Sequence, residues 1–161
     1  MKDAPDRPSL GPLPGYLGYN LRRAQAASFR HLDTVADGID LSPGQFSLLI
    51  FLEANPDASQ TAIARVFGID KSTLSPVLDG FARRGLITRT RADHDRRTNS
   101  IRLTADGGAL LARMRALVET QEALMAAVLE RGERARLLDM LARITQALEA
   151  DRSGPARAAA E

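Results

Sequence analysis

"GIDKSTLSPVLDGFARRGLITRTRADHDRRTNSIRLT", residues 68–104, decides the fold. Gly68 supplies the positive φ of a tight turn at no steric cost. Asp70 then stands where a helix N-cap belongs, and the spacing predicts a helix to about Arg84, stopped by Gly85. Leu86–Arg91 and Asn99–Leu103 alternate as short strands do, around a loop "ADHDRRT". That loop gathers Asp95, Arg96 and Arg97 at a hairpin tip with no apolar anchor and no nucleophile. A cluster of this kind is built for a partner rather than for a core.

Upstream, Ser59 caps a short helix to about Phe67. Ala64 is small where two helices must approach closely, and Ile63, Phe67, Ile69, Leu74 and Val77 are the apolar residues expected to join them. The pattern is helix-turn-helix. The face left over on the second helix carries Lys71, Ser72, Thr73 and Ser75, short polar groups near a helix N-terminus, the end that enters a major groove. Hydroxyls there reach phosphate oxygens and base edges alike. For this stretch alone, an ordinary helical hairpin with a polar face is the alternative. For the hairpin tip, the alternative is local pairing of Asp93 and Asp95 with Arg96 and Arg97. Surface pairs contribute only about 0–1 kcal/mol, so stability accounts for the cluster poorly. Together, a helix-turn-helix and a basic wing are far more specific than either part.

Charge supports a polyanion partner. Residues 60–104 hold nine basic and four acidic side chains, a surplus of five, whereas the whole chain carries only +2. The remaining residues therefore sum to −3. The absence of cysteine excludes disulfides and thiolate metal sites. Two histidines, His31 and His94, make a poor nitrogen donor set, and no phosphate loop, nucleophile elbow or H-E-x-x-H occurs. An enzyme, a cofactor and a metal site are not expected. No apolar run approaches the roughly 20 residues of a membrane span, and "MKDAPDRPSLGPLPG" lacks a signal-peptide core, so a cytoplasmic location is expected.

Outside the winged segment, residues 1–14 hold four of the eight prolines and read as a flexible arm. A helix is predicted from Tyr16 to about Asp37, and another after the Ser42 cap with Pro43 at its first position and Phe46, Leu49, Ile50 and Leu52 on its apolar face. Thr104 starts a long helix to about Leu129, bearing one stripe through Leu110, Met114, Leu117, Gln121, Leu124 and Val128 and a second through Leu111, Val118 and Met125. A final helix runs from Glu133 to about Ala150, and residues 151–161 read as a frayed tail. Two stripes on one helix usually mean two contact surfaces, the chain's own core and a second copy; a monomeric bundle burying both stripes is the alternative.

"LSPGQFSLLIFL", "DKSTLSPVLDGFARRGLITR" and "DHDRRTNSIRLTADG" resemble the winged-helix regulators of the MarR (multiple antibiotic resistance regulator) family, over about residues 15–150. The resemblance implies a mainly α fold with a small two-stranded β-wing. Residues 15–37 and 105–150 would be dimerisation helices, and 42–104 the DNA-binding winged helix-turn-helix. It implies a homodimer that puts paired recognition helices into successive major grooves of a pseudo-palindrome on double-stranded DNA. By matching position, Asp70 to Arg84 is the recognition helix, Arg97 the wing arginine for the minor groove, and Asp95 its positioning partner. Ser59, Arg89 and Arg96 complete the DNA-contact candidates beside Lys71, Ser72, Thr73 and Ser75. Family members often carry Arg where this chain has Pro76, which removes one phosphate contact and one backbone donor inside the helix.

Such regulators are commonly released by a small ligand. "LPGYLGYNLRRAQ" resembles the subgroup controlling catabolism of aromatic acids, with aromatic acids or their CoA thioesters as effectors. Tyr19, Arg22, Arg23 and His31 are the effector candidates, since adjacent arginines suit a carboxylate or phosphate. The alternative for the arginines is solvation or pairing with a neighbouring chain. The expected function is thus a ligand-responsive repressor. A sequence-tolerant architectural DNA binder and an effector-insensitive repressor are the rivals.

Overall fold

The computed structural model describes residues 8–36, 38–92 and 95–152, with the backbone alone at 91–92, 95–99 and 152. Within the expected N-terminal arm, a 3-10 turn forms at Leu13–Gly15, ahead of α1 (Leu17–Val35). The first seven residues and Asp37 lie outside the described residues.

Local chemistry sets most helix boundaries. Before α2 (Pro43–Ala54), Ser42 forms both halves of a capping box: its Oγ accepts from Gln45 N at 3.3 Å, and its N donates to Gln45 Oε1 at 3.0 Å. Ser59 Oγ accepts from Ala62 N at 3.1 Å to open α3 (Gln60–Phe67), which Gly68 ends at φ 61°. Asp70 does sit at the N-cap of α4 (Lys71–Arg83), but its side chain makes no cap hydrogen bond. Its carbonyl accepts from Thr73 N and Leu74 N, both at 3.0 Å. The expected carboxylate cap is therefore corrected to a backbone one.

The sheet has three strands, not two: β1 (Ala58–Ser59), β2 (Ile87–Ala92) and β3 (Asp95–Leu103), antiparallel in the order β1-β3-β2. β1 is two residues long, too short to leave a period in the sequence. β2 and β3 pair in register from Ile87↔Leu103 to Arg91↔Asn99, after which Ala92 pairs with Asp95. Residues 96–98 thus fall between two successive pairs. Asp95, Arg96 and Arg97 belong to an irregular strand rather than to the expected loop, and their side chains, with Asp93 and His94, lie outside the description.

Thr104 joins this sheet to α5 (Ala105–Ala126), three residues shorter at its end than predicted. Its N donates to Leu86 O at 3.0 Å and its Oγ1 to Gly85 O at 2.6 Å, while the same Oγ1 accepts from Gly107 N at 3.0 Å. Gly107 is buried so closely that a Cβ built on it would overlap the Leu86 carbonyl oxygen. α6 (Glu133–Arg152) follows Gly132, whose φ is 86°.

The chain forms two compact units, residues 1–119 and 120–161. The core of the first gathers Phe46, Leu49 and Leu52 from α2, Ile63 from α3, Leu74, Leu78 and Phe81 from α4, Ile87 and Ile101 from the sheet, and Leu111 and Met114 from α5. Two expected core residues are displaced. Leu48 is buried where Ile50 was predicted, and Ile69 is 38% exposed beyond the turn. The stripes of α5 divide by length rather than by side. Leu111 and Met114, one from each, are buried, as is Gln121, whereas Leu124 and Met125 are exposed, as is Val128 beyond the helix end. In the second unit Leu137, Leu138, Met140 and Leu148 are also exposed.

Candidate nucleic-acid interface

Core packing and a side-chain hydrogen bond from α3 hold α4, and an aromatic contact seats α3 itself. Leu74, Leu78 and Phe81 point into the core, each 1% exposed or less. Phe67 meets Phe51 edge-on, with ring centroids 5.7 Å apart, and so seats α3 against α2. Gln60 Nε2 donates to Ser75 Oγ at 2.5 Å, and Ser75 Oγ donates to Lys71 O at 2.7 Å. The half-buried Ser75 hydroxyl, predicted as a DNA contact, thus ties α3 to α4. Ser59 is half-buried as well, its Oγ engaged in the cap.

A helix turns about 100° per residue. Opposite Leu74, Leu78 and Phe81 the outward strip of α4 therefore runs through Ser72, Pro76 and Arg83, flanked by Thr73 and Asp79. All five are exposed, as is Lys71 on the first turn. Of the predicted recognition-helix contacts, Lys71, Ser72 and Thr73 remain open to a partner.

Much of the basic surplus is neutralised within the chain. Arg84 Nη2 donates to Asp40 O at 2.7 Å, with the Asp40 carboxylate 3.6 Å from Nη1. Arg89 Nη1 lies 2.8 Å from Asp79 Oδ1, bracing β2 against α4. Arg102 holds both carboxylate oxygens of Asp57. Asp57 takes φ 69°, an unusual conformation for a residue with a side chain, in the turn between α2 and β1. The hydrogen bonds from Arg102 hold the Asp57 carboxyl below its ordinary value of 3.8, helped by the Arg102 charge and Ser100 and opposed by partial desolvation. These partners lie 44, 10 and 45 residues apart in sequence, so no local pattern announced them. Arg65, Lys71 and Arg83 are exposed without an ion pair among the described residues.

The effector candidates share α1 but do not converge. The Arg23 guanidinium lies 5.6 Å from the Tyr19 ring centre, a cation–π contact. Arg23 also lines a shallow groove of about 400 Å³ with Asn20, Ala24, Ala26, Ala27 and Arg30. Arg22 is exposed outside it, and His31, half-buried, stands 12 residues from Tyr19, roughly 18 Å along the helix.

Comparison with known proteins places this geometry. Residues 39–98 match the MarR family. A candidate transcriptional regulatory protein for the hcr operon of Thauera aromatica is 33% identical over 135 residues, covering 83% of this chain and 81% of that protein. The transcriptional repressor CouR bound to a 23-mer DNA duplex is 40% identical, with a TM-score of 0.81 over 87% of this chain and 99% of that one. CouR bound to p-coumaroyl-CoA is 39% identical, with a TM-score of 0.77 over 86% and 98%.

Proposed function

The chain belongs to the MarR family, and on that footing we propose that it is a transcriptional repressor, binding a pseudo-palindromic operator as a homodimer and released by an aromatic acyl-CoA. The observation that carries the DNA-binding part is the outward face of α4. It presents Lys71, Ser72 and Thr73 unengaged on a helix whose other side is locked into the core, with a basic two-stranded ribbon following it. Ser72 and Thr73 read base edges in the major groove, and Lys71 holds a phosphate. Arg97, positioned by Asp95 and with Arg96 on the adjacent backbone, enters the flanking minor groove. The solved DNA complex of CouR supports the partner.

The effector class is supported by CouR bound to p-coumaroyl-CoA. In this chain Arg23 and Arg30 offer cations to the phosphates of a CoA thioester along the α1 groove, with Arg22 beside them. Tyr19 stacks on Arg23, and His31 does not line this groove.

The test is a titration on duplexes tiling the promoter region next to the protein's own gene, with and without p-coumaroyl-CoA. One protected palindrome, released by the thioester, is the expected result. Diffuse protection instead identifies an architectural binder, and a palindrome held regardless of ligand identifies an effector-insensitive repressor.

A further inference from the structure

The outward strip of α4 has an apolar centre. Ser72 and Arg83 lie at its ends, and between them stands Pro76, exposed, one turn beyond Ser72. The helix continues through Pro76, although the ring removes the N–H that would otherwise bond the Ser72 carbonyl. Nothing in the core requires a proline there, because its ring faces away from Leu74, Leu78 and Phe81. On the groove-facing centre of a recognition helix it offers three ring carbons and no hydrogen-bonding group.

The neighbours narrow what this position meets. Ser75 is held between Gln60 and the Lys71 carbonyl, and Asp79 is held by Arg89, so neither side chain is spare beside Pro76. Base discrimination by this turn therefore rests on Ser72, Thr73 and the proline ring. In the major groove, donors and acceptors dominate the base edges, and the bulkiest apolar group is the C5 methyl of thymine, where cytosine presents only a C5–H. A donor such as cytosine N4 or an acceptor such as guanine O6 placed under the ring would lose water and gain no partner.

We propose that Pro76 is a specificity-determining residue that reads a thymine methyl at one position in each half-site. This rests on the operator-binding function proposed above. The contact removes about one methyl group from water per half-site, which corresponds to about fourfold in affinity.

The test starts by selecting tight-binding duplexes from a randomised library with the wild-type protein. The winning duplex is then resynthesised with deoxyuridine replacing thymidine, one position at a time, which removes only the methyl. In the wild type, one symmetric thymine pair should show a loss of about fourfold per half-site. Pro76→Ser, which puts a hydroxyl in place of the ring, should bind the thymine and uracil duplexes equally and should select other bases at that position. A melting curve on Pro76→Ser checks that it is folded; the wild-type uracil scan needs no variant at all. If no thymine is sensitive to methyl removal, or if Pro76→Ser keeps the same sensitivity, the assignment of Pro76 is overturned while operator binding stands. If the wild type selects no palindrome from the library, the operator-binding function falls and the assignment with it.

Discussion

Arg89 and Asp79 form a pair whose members belong to different surfaces. The carboxylate sits on the flank of the outward α4 strip, the face proposed above for DNA, while the guanidinium reaches it from β2 at 2.8 Å. Left alone, Asp79 would place a negative charge toward a phosphate backbone. Arg89 screens that charge within the pair; the expected direct DNA contact is the competing role. Arg89→Ala should weaken operator binding, and adding Asp79→Asn should restore most of the loss. A measured salt dependence separates the two roles. If Arg89 neutralises a phosphate itself, the slope of log K against log salt drops by about 0.9 in the single variant, and the double variant stays equally weak. Folding should change little in either, since a surface pair contributes about 0–1 kcal/mol. At this scale the sequence was legible where exposure depends on residue type. Lys71, Ser72 and Thr73 are polar where a core needs none, and they remain exposed. It was silent where function depends on a distant partner, so Ser75 and Arg89 seemed free although Gln60 and Asp79 engage them.

Among the elements, β1 pairs with β3 over two residues and has a side-chain anchor at each end. Ser59 caps α3, and Asp57, just before the strand, grips Arg102 on β3. Because the folded Asp57 pKa is lowered below 3.8, the stabilisation is fully present above that value and is lost as pH falls through the folded pKa. Asp57→Asn keeps a residue that tolerates the left-handed backbone while removing the charge. The gap in melting temperature between wild type and Asp57→Asn should accordingly stay constant from about pH 7 to pH 5 and close below 3.8. A gap that widened on acidification would show that the pair does not anchor the strand. The same element marks the limit of sequence reasoning. Helices announced themselves through caps at Ser42 and Ser59 and through Gly68 and Gly85, each a local device. A two-residue strand has no period, and the slipped register after Arg91 turned an expected loop into strand.

For the whole molecule, the pattern of exposure is the argument for assembly. In the first unit α1 buries only Leu32 and leaves Leu17 at 71%, Leu21 at 39% and Phe29 at 41% exposed. In the second, Val128 is 82% and Leu148 64% exposed. Apolar surface on this scale is uncommon on a monomer, and covering it gains about 25 cal/mol for each Å². Light scattering at micromolar concentration should therefore return twice the chain mass of 17.4 kDa. Leu148→Asp should shift the population toward the single-chain mass and lower operator affinity in step. A single-chain mass for the wild type would remove the basis for paired half-sites. Two stripes on α5 correctly signalled more apolar surface than one core can hold. Their division along the helix was not legible, because a periodicity records which side is apolar and not where the core ends.

Lysine is so scarce here that the first turn of α4 becomes a chemical reporter. The chain has two, Lys2 and Lys71, and the latter's ammonium is exposed. An amine-selective acylating reagent therefore has very few targets, and one of them sits on the surface assigned to the operator. The extent of labelling at that single amine, read by mass spectrometry, reports how many groove faces are occupied, in a mixture and without altering the DNA. Effector release could be followed the same way in real time, with the arginine-rich remainder of the surface silent to the reagent.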